Sequence, residues 1–166
     1  MMSVNDVKMY YDQAMSFLGQ EEIEKSLVFF DKALKTDENY SPAWNNKGIA
    51  LLSLKKYSEA LDCFEHVVIL NPMDSMVIYN KGYVLLMLER YQESVDTLEL
   101  FLKRYSQKDD FYKFGLYLQA KGFYNLKNYE YAELLLQKAV KKDKNFKEAQ
   151  ELLGIVLKEK NHGINE

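Results

Sequence analysis

The chain has 166 residues, of which 48% are hydrophobic and 28% charged, a balance that suits one soluble folded domain and argues against a disordered chain. Its formal charge is −3, with lysines interleaved among glutamates and aspartates, so the basic patch of a nucleic-acid binder is missing and no nucleic-acid partner is expected. Cys63 is the only cysteine, which precludes an internal disulfide and makes a reducing, cytoplasmic setting the expectation.

Seven Gly and two Pro are few for a fold built on tight turns, and point to helices. The opening stretch MMSVNDVKMYYDQAM has no basic region followed by an apolar run, so it does not read as a secretory signal. No stretch approaches the roughly 18 continuous apolar residues of a membrane span, and no membrane insertion is expected. From Ala14 onward the chain keeps a register. Ala14, Gly48, Gly82, Ala120 and Gly154 recur at spacings of 34, 34, 38 and 34 residues. Twelve residues after the first four come Ser26, Ala60, Ser94 and Ala132, all small. Four residues later stand Phe30, Phe64, Leu98 and Leu136, all large and apolar, followed at three residues by Ala33, Val67, Phe101 and Ala139.

This pattern predicts helical hairpins. A small residue on each first helix lets the second helix approach, and the large residue one turn on fills the adjacent space. A mid-helix glycine costs about 1 kcal/mol relative to alanine, so Gly48 and Gly82 need a packing reason, which close approach supplies. The residues Trp44, Gly48, Ala60, Phe64 and Pro72 resemble the motif of the tetratricopeptide repeat family, with Lys47 and Leu51 departing from the usual Leu and Tyr. The resemblance implies an all-α, right-handed α-solenoid of helix-turn-helix hairpins, a single domain over 1–166. Its repeats are expected at 7–40, 41–74, 75–108 and 113–146, with a capping helix at 147–160.

Local signals punctuate that plan. Glu21, Glu22 and Glu24 read as the acidic first turn of a helix. Ser41 and Pro42 read as an N-cap followed by a first-turn proline. Asn71-Pro72 closes a helix, because the residue before proline is pushed out of the α region. Tyr57, Tyr91 and Tyr129 sit at equivalent hairpin turns, where they are expected to wedge between neighbouring hairpins. Residues 109–112 are extra to the register; Ser106 and Asp109 resemble a capping box, and the simplest reading starts the next helix one turn early. In the alternative, Phe111 and Tyr112 form a ledge at one rim. The segment KEAQELLGIVLKEK repeats only the first half of the motif and reads as a cap with a polar outer face, followed by a frayed tail NHGINE.

Candidates for chemistry are sparse. His66 and His162 lack metal-ligand neighbours at a suitable spacing, Cys63 has no histidine motif beside it, and no Gly-rich phosphate loop occurs. No catalytic residue, metal or cofactor is therefore expected, and the chain is read as a non-enzyme.

The resemblance implies that first helices line a concave groove. Its inward positions carry Tyr11 and Met15; Asn45, Ile49 and Leu52; Met76, Tyr79, Tyr83 and Met87; and Phe114, Tyr117, Lys121 and Tyr124. Tyrosine offers a large contact area with a polar handle, and methionine adapts to irregular partners. Two readings stand open: a binding groove, or a tightly wound solenoid in which these side chains pack on one another. Between them run Asp12, Asn46 and Asn80, each 34 apart, until Leu118 ends the row. Such amides can hold a peptide backbone, or they can bond within and between helices. A basic clamp for a chaperone's C-terminal carboxylate finds only one matching residue in either register and is disfavoured. The function expected is a protein-interaction scaffold for a peptide or helix segment. The alternatives are a self-assembling homo-oligomer and an accessory subunit of an enzyme complex.

Overall fold

A computed structural model describes residues 4–107 and 109–162. Among the described residues every regular element is helical: α1 Val4–Gly19, α2 Ile23–Thr36, α3 Ser41–Ser53, α4 Tyr57–Leu70, α5 Ser75–Met87, α6 Tyr91–Arg104, α7 Asp110–Asn125, α8 Tyr129–Lys142 and α9 Lys147–His162. Residues 163–166, the end of the expected frayed tail, lie outside the described residues. The packing divides the chain into two compact units, residues 1–77 and 78–166, with the division falling inside α5.

Each hairpin is built on the register of small and large residues. Ala14, Ser26, Phe30 and Ala33 are fully buried in the first unit, as are Ala120, Ala132, Leu136 and Ala139 in the second. The glycines explain themselves by distance. A Cβ on Gly48 would lie 2.7 Å from the Phe64 ring, and one on Gly82 would lie 2.6 Å from Leu98. Each large residue thus sits directly on the glycine, closer than the space beside it. The Ser94 hydroxyl uses the same close approach to donate to the Gly82 carbonyl at 2.7 Å. Gly154 breaks the rule: it is exposed, and nothing lies within 4 Å of its would-be Cβ.

Four hairpin corners repeat one backbone solution. Glu21, Lys55, Glu89 and Lys127 all hold φ between 57° and 61°, the left-handed region. At the second corner the Lys56 N–H donates to Leu51 O and the Lys55 N–H to Leu52 O, both at 2.9 Å. The same pair of bonds recurs at Arg90 and Glu89, at Asn128 and Lys127, and at Glu22 and Glu21. This is a Schellman termination, which satisfies the last carbonyls of the first helix. Glu21 is therefore a corner residue and Glu22 the N-cap, leaving only Glu24 in the first turn of α2.

Two expected caps are placed differently, and a third cap was not anticipated. The N-cap of α3 is Tyr40, so Ser41 is already helical and Pro42 falls in the first turn, where its missing N–H costs nothing. Before α7 the cap is Asp109, whose carboxylate accepts from the Phe111 and Tyr112 N–H groups. Ser106 takes no part in that cap, because Asp109 already satisfies the exposed donors. Asp74 caps α5, accepting from Met76 and Val77. The extra residues lengthen α7 to 16 residues against 13 in α3 and α5. The helix does start nearly one turn early.

In the first unit, Lys47 stands where the motif usually has Leu; it pairs with Asp31 of α2 at 2.6 Å and lies over the Trp44 ring. Trp44 stacks on His66 with centroids 4.2 Å apart and donates its indole N–H to Glu38 O. In the second unit, α9 is held on α8 by Phe146, Ala149 and Val156, all buried, and by Lys160 pairing with Glu133 at 2.8 Å. Lys113 of α7 reaches Asp143 at 2.6 Å, which fixes the turn between α8 and α9.

Candidate functional site

The first-helix residues fall into two strips, one in each unit. In the first, Tyr11 of α1 and Asn46 of α3 are joined: the Asn46 amide donates to the Tyr11 hydroxyl at 2.9 Å and to Pro42 O at 3.0 Å. The Tyr11 ring lies edge-on to Tyr40 at 5.4 Å, and burial first, then Tyr40 and Asp12, raises its pKa. Asn46 therefore spends both amide hydrogens inside the protein and keeps only its oxygen as an acceptor. Asn45 is half-buried, and its Oδ1 is sheltered with no hydrogen-bond partner among the described residues. Met15 and Ile49 are exposed, while Leu52 and Met76 are half-buried.

The second strip runs along α5 and α7. Tyr79 packs on Phe101 at 5.2 Å and meets the edge of Phe111 at 5.8 Å. Burial, helped by the neighbouring Tyr83, pushes its phenol up to about 12. Phe111 comes from the four inserted residues, so the insertion supplies part of the wall around Tyr79 and remains itself 44% exposed. Tyr83 and Met87 are half-buried on a small core of Leu86, Leu98 and Leu118, together with Tyr117. Leu118 is buried, which is why the row of polar residues stops there. Phe114 and Tyr117 both rest on Phe146, at 5.1 and 5.2 Å. Tyr124 meets Tyr129 at 6.0 Å, and Lys121 is half-buried. Asn80 makes no side-chain hydrogen bond among the described residues. It sits half-buried on α5 between Tyr79 and Tyr83 with two donors and an acceptor available.

The groups that chemistry would need are placed as follows. Cys63 is buried, and burial pushes its thiol up to about 11. A thiol so shifted stays protonated at neutral pH and is a poor nucleophile. Among the described residues no three His, Cys, Asp or Glu side chains cluster to hold a metal ion, and no helix is long and apolar enough to cross a membrane. Sequence reasoning missed the Trp44–His66 stack and a lysine-rimmed cleft between α7 and α8.

Comparison with known proteins agrees with this architecture. The tetratricopeptide repeat profile matches residues 41–74, the span that the register marks off as the second repeat. Protein MJ0572 of Methanocaldococcus jannaschii is 34% identical over 62 residues, covering 37% of this chain and 72% of that one. Tetratricopeptide repeat protein 12 of Mus musculus is 37% identical over 70 residues, covering 42% of this chain but only 10% of the mouse protein. The structure of MamA from Desulfovibrio magneticus superposes with a TM-score of 0.88 at 24% identity, covering 97% of this chain and 88% of that one. YrrB, a TPR protein with an unusual peptide-binding site, superposes with a TM-score of 0.81 at 21% identity, covering 92% and 76%. Paired helices in register, buried small residues at the crossings and solenoid structures that superpose over nearly the whole length make this chain an all-α helical repeat protein, with a tetratricopeptide repeat matched at residues 41–74.

Proposed function

We propose that this chain is a non-enzymatic protein-interaction module that takes an apolar or amphipathic peptide or helix along its first-helix strips. The observation that carries the reading is on α5. Asn80 keeps its amide unused between two tyrosines, on a strip of α5 whose residues Met76, Tyr79, Asn80, Tyr83 and Met87 carry no charge. A helix surface built this way suits a ligand that buries apolar side chains and offers a few backbone groups. YrrB's described peptide-binding site supports the general mode. The two tyrosines differ in what they offer. Tyr79 is committed to Phe101 and Phe111, so Tyr83 is the better anchor. The test is selection of binding peptides on the immobilised full chain, followed by calorimetric titration of a selected peptide. Tyr83→Ala is expected to weaken binding by about 2 kcal/mol, with a lower melting temperature from its lost packing on Leu86, Leu98 and Leu118 but a chain that stays folded at the temperature of the titration. Asn80→Ala is expected to matter only for a ligand bound in extended form. Full affinity in both variants would move the site elsewhere.

A second reading is self-assembly, and one observation favours it. Gly154 has open space where Gly48 and Gly82 receive Phe64 and Leu98, and Ile155 and Leu157 beside it are exposed. Light scattering across a concentration series distinguishes the two: a constant monomer mass excludes assembly through α9.

A further inference from the structure

Away from both strips, α7 and α8 enclose a cleft of about 460 Å³ lined by Tyr112, Leu116, Lys138, Lys141 and Lys142. Leu116 is 3% exposed and forms an apolar floor, and Tyr112 is half-buried beside it. The three lysines are exposed, and none of them forms an ion pair among the described residues. The nearest acid in sequence, Asp143, is already engaged by Lys113 and by the Asn145 N–H. The helix dipole favours cations in the last turn of α8, which accounts for Lys141 and Lys142 but not for Lys138 a turn earlier. Positions 138, 141 and 142 are three and four apart, so the ammonium groups share one side of α8 and rim one side of the cleft.

We propose that this cleft docks an acidic peptide segment of a partner protein. One apolar side chain enters over Leu116 against Tyr112, and flanking carboxylates pair with Lys138, Lys141 and Lys142. The volume is that of a small ligand pocket and holds one aromatic side chain with room to spare. The spacing of the cations decides between a peptide and a compact anion. Lysine is a point charge with a hydrated head, and three of them spread over a helical turn match charges spaced along a chain. Pairing at such a rim governs encounter rate and salt dependence, while the apolar anchor governs residence. The site is made by second-helix lysines and the outer part of α7. It is independent of Tyr83 and Asn80, so it can serve a second segment of the same partner.

The test uses the full chain and a fluorescein-labelled peptide, Glu-Asp-Glu-Phe-Asp-Glu-Glu, followed by anisotropy. Saturable binding is expected, weakened by about tenfold or more in the double variant Lys138→Glu/Lys142→Glu and by a similar factor on raising salt from about 0.05 to 0.5 M. The variant Lys138→Arg/Lys142→Arg is expected to retain binding, and Tyr83→Ala to leave it unchanged. A peptide with serine in place of the phenylalanine is expected to bind more weakly. Failure to saturate in the millimolar range would overturn the proposal. So would undiminished binding by the charge-reversed variant. Equal affinity for the serine peptide would reduce the site to a diffuse cationic surface, and loss of binding in Tyr83→Ala would assign the peptide to the α5 strip instead.

Discussion

Four residues with side chains hold the left-handed conformation at the hairpin corners, at φ of 57° to 61°. That region costs an L-residue about 1–2 kcal/mol, and glycine avoids the penalty. Lys55 and Glu89 are exposed and their side chains add no core packing. Lys55→Gly and Glu89→Gly are each expected to stabilise the protein by about 0.5–1 kcal/mol, after subtracting glycine's extra chain entropy. Urea midpoints check this, with Lys35→Gly inside α2 as the control that loses stability. Cys63 gives a second residue-scale prediction. Burial pushes its folded pKa to about 11, above the 9.0 of a free thiol, so between those values the unfolded chain has lost the thiol proton that the folded chain keeps. The thiol's contribution is full below pH 9 and falls as pH rises towards 11, at roughly 1.4 kcal/mol per pH unit. Wild type is therefore expected to lose more stability than Cys63→Ala between pH 8 and 10.5, in paired urea titrations.

At the scale of the element, the register of small residues was legible because it recurs at fixed spacing, and a mid-helix glycine, costly in propensity, points to close approach at Gly48 and Gly82 though not at Gly154. The structure puts Phe64 on Gly48 and Leu98 on Gly82, as the pattern requires. Gly48→Ala and Gly82→Ala are expected to cost about 1–3 kcal/mol by overpacking. Gly154→Ala should instead add about 1 kcal/mol, because its surroundings are open and only helix propensity changes. Thermal melts of the three variants separate the two effects. The corners were not legible. Their left-handed residues are Lys and Glu, which carry no signal for positive φ, and the conformation is imposed by paired bonds such as Lys56 N–H to Leu51 O. The candidate strips were half legible. The helical period placed their residues on one face, but it could not say that Asn46 is spent on Tyr11 or that Tyr79 is walled in by Phe101 and Phe111. The lysine-rimmed cleft was hidden for a related reason: Lys138, Lys141 and Lys142 look in sequence like any solvated helix end, and only folding brings Tyr112 and Leu116 beside them.

At the scale of the molecule, α9 shows how the second unit is finished. It lays Ala149 and Val156 on the core shared by α7 and α8, with Leu152 and Leu153 half-buried at the edge. Each buried aliphatic side chain is worth roughly 1.5–3 kcal/mol, against a whole-protein stability of about 5–15 kcal/mol. Deleting residues 147–166 is expected to lower the melting temperature and raise light scattering as Leu135 and Leu136 become uncovered. An unchanged, monomeric melt would contradict this role for α9.

Many of the closely packed helix pairs are neighbours along the chain: α1 with α2, α2 with α3 and α3 with α4 in one unit; α6 with α7, α7 with α8 and α8 with α9 in the other; contacts that skip a helix include Asn46 to Tyr11, Tyr79 to Phe111 and α7 to α9. Much of the packing is thus between segments that synthesis delivers one after the other, and little loop-closure entropy has to be overcome before those contacts form. Such a topology belongs with chains that refold in roughly microseconds to milliseconds. It also removes any need for the protein to open all at once. Amide exchange under increasing urea is expected to reveal a ladder of opening energies, with the amides of α9 released before those of α7 and α8. A single shared opening energy for every protected amide would contradict it. A chain that can loosen hairpin by hairpin can yield a terminal helix to a partner while the rest of its repeats stay folded.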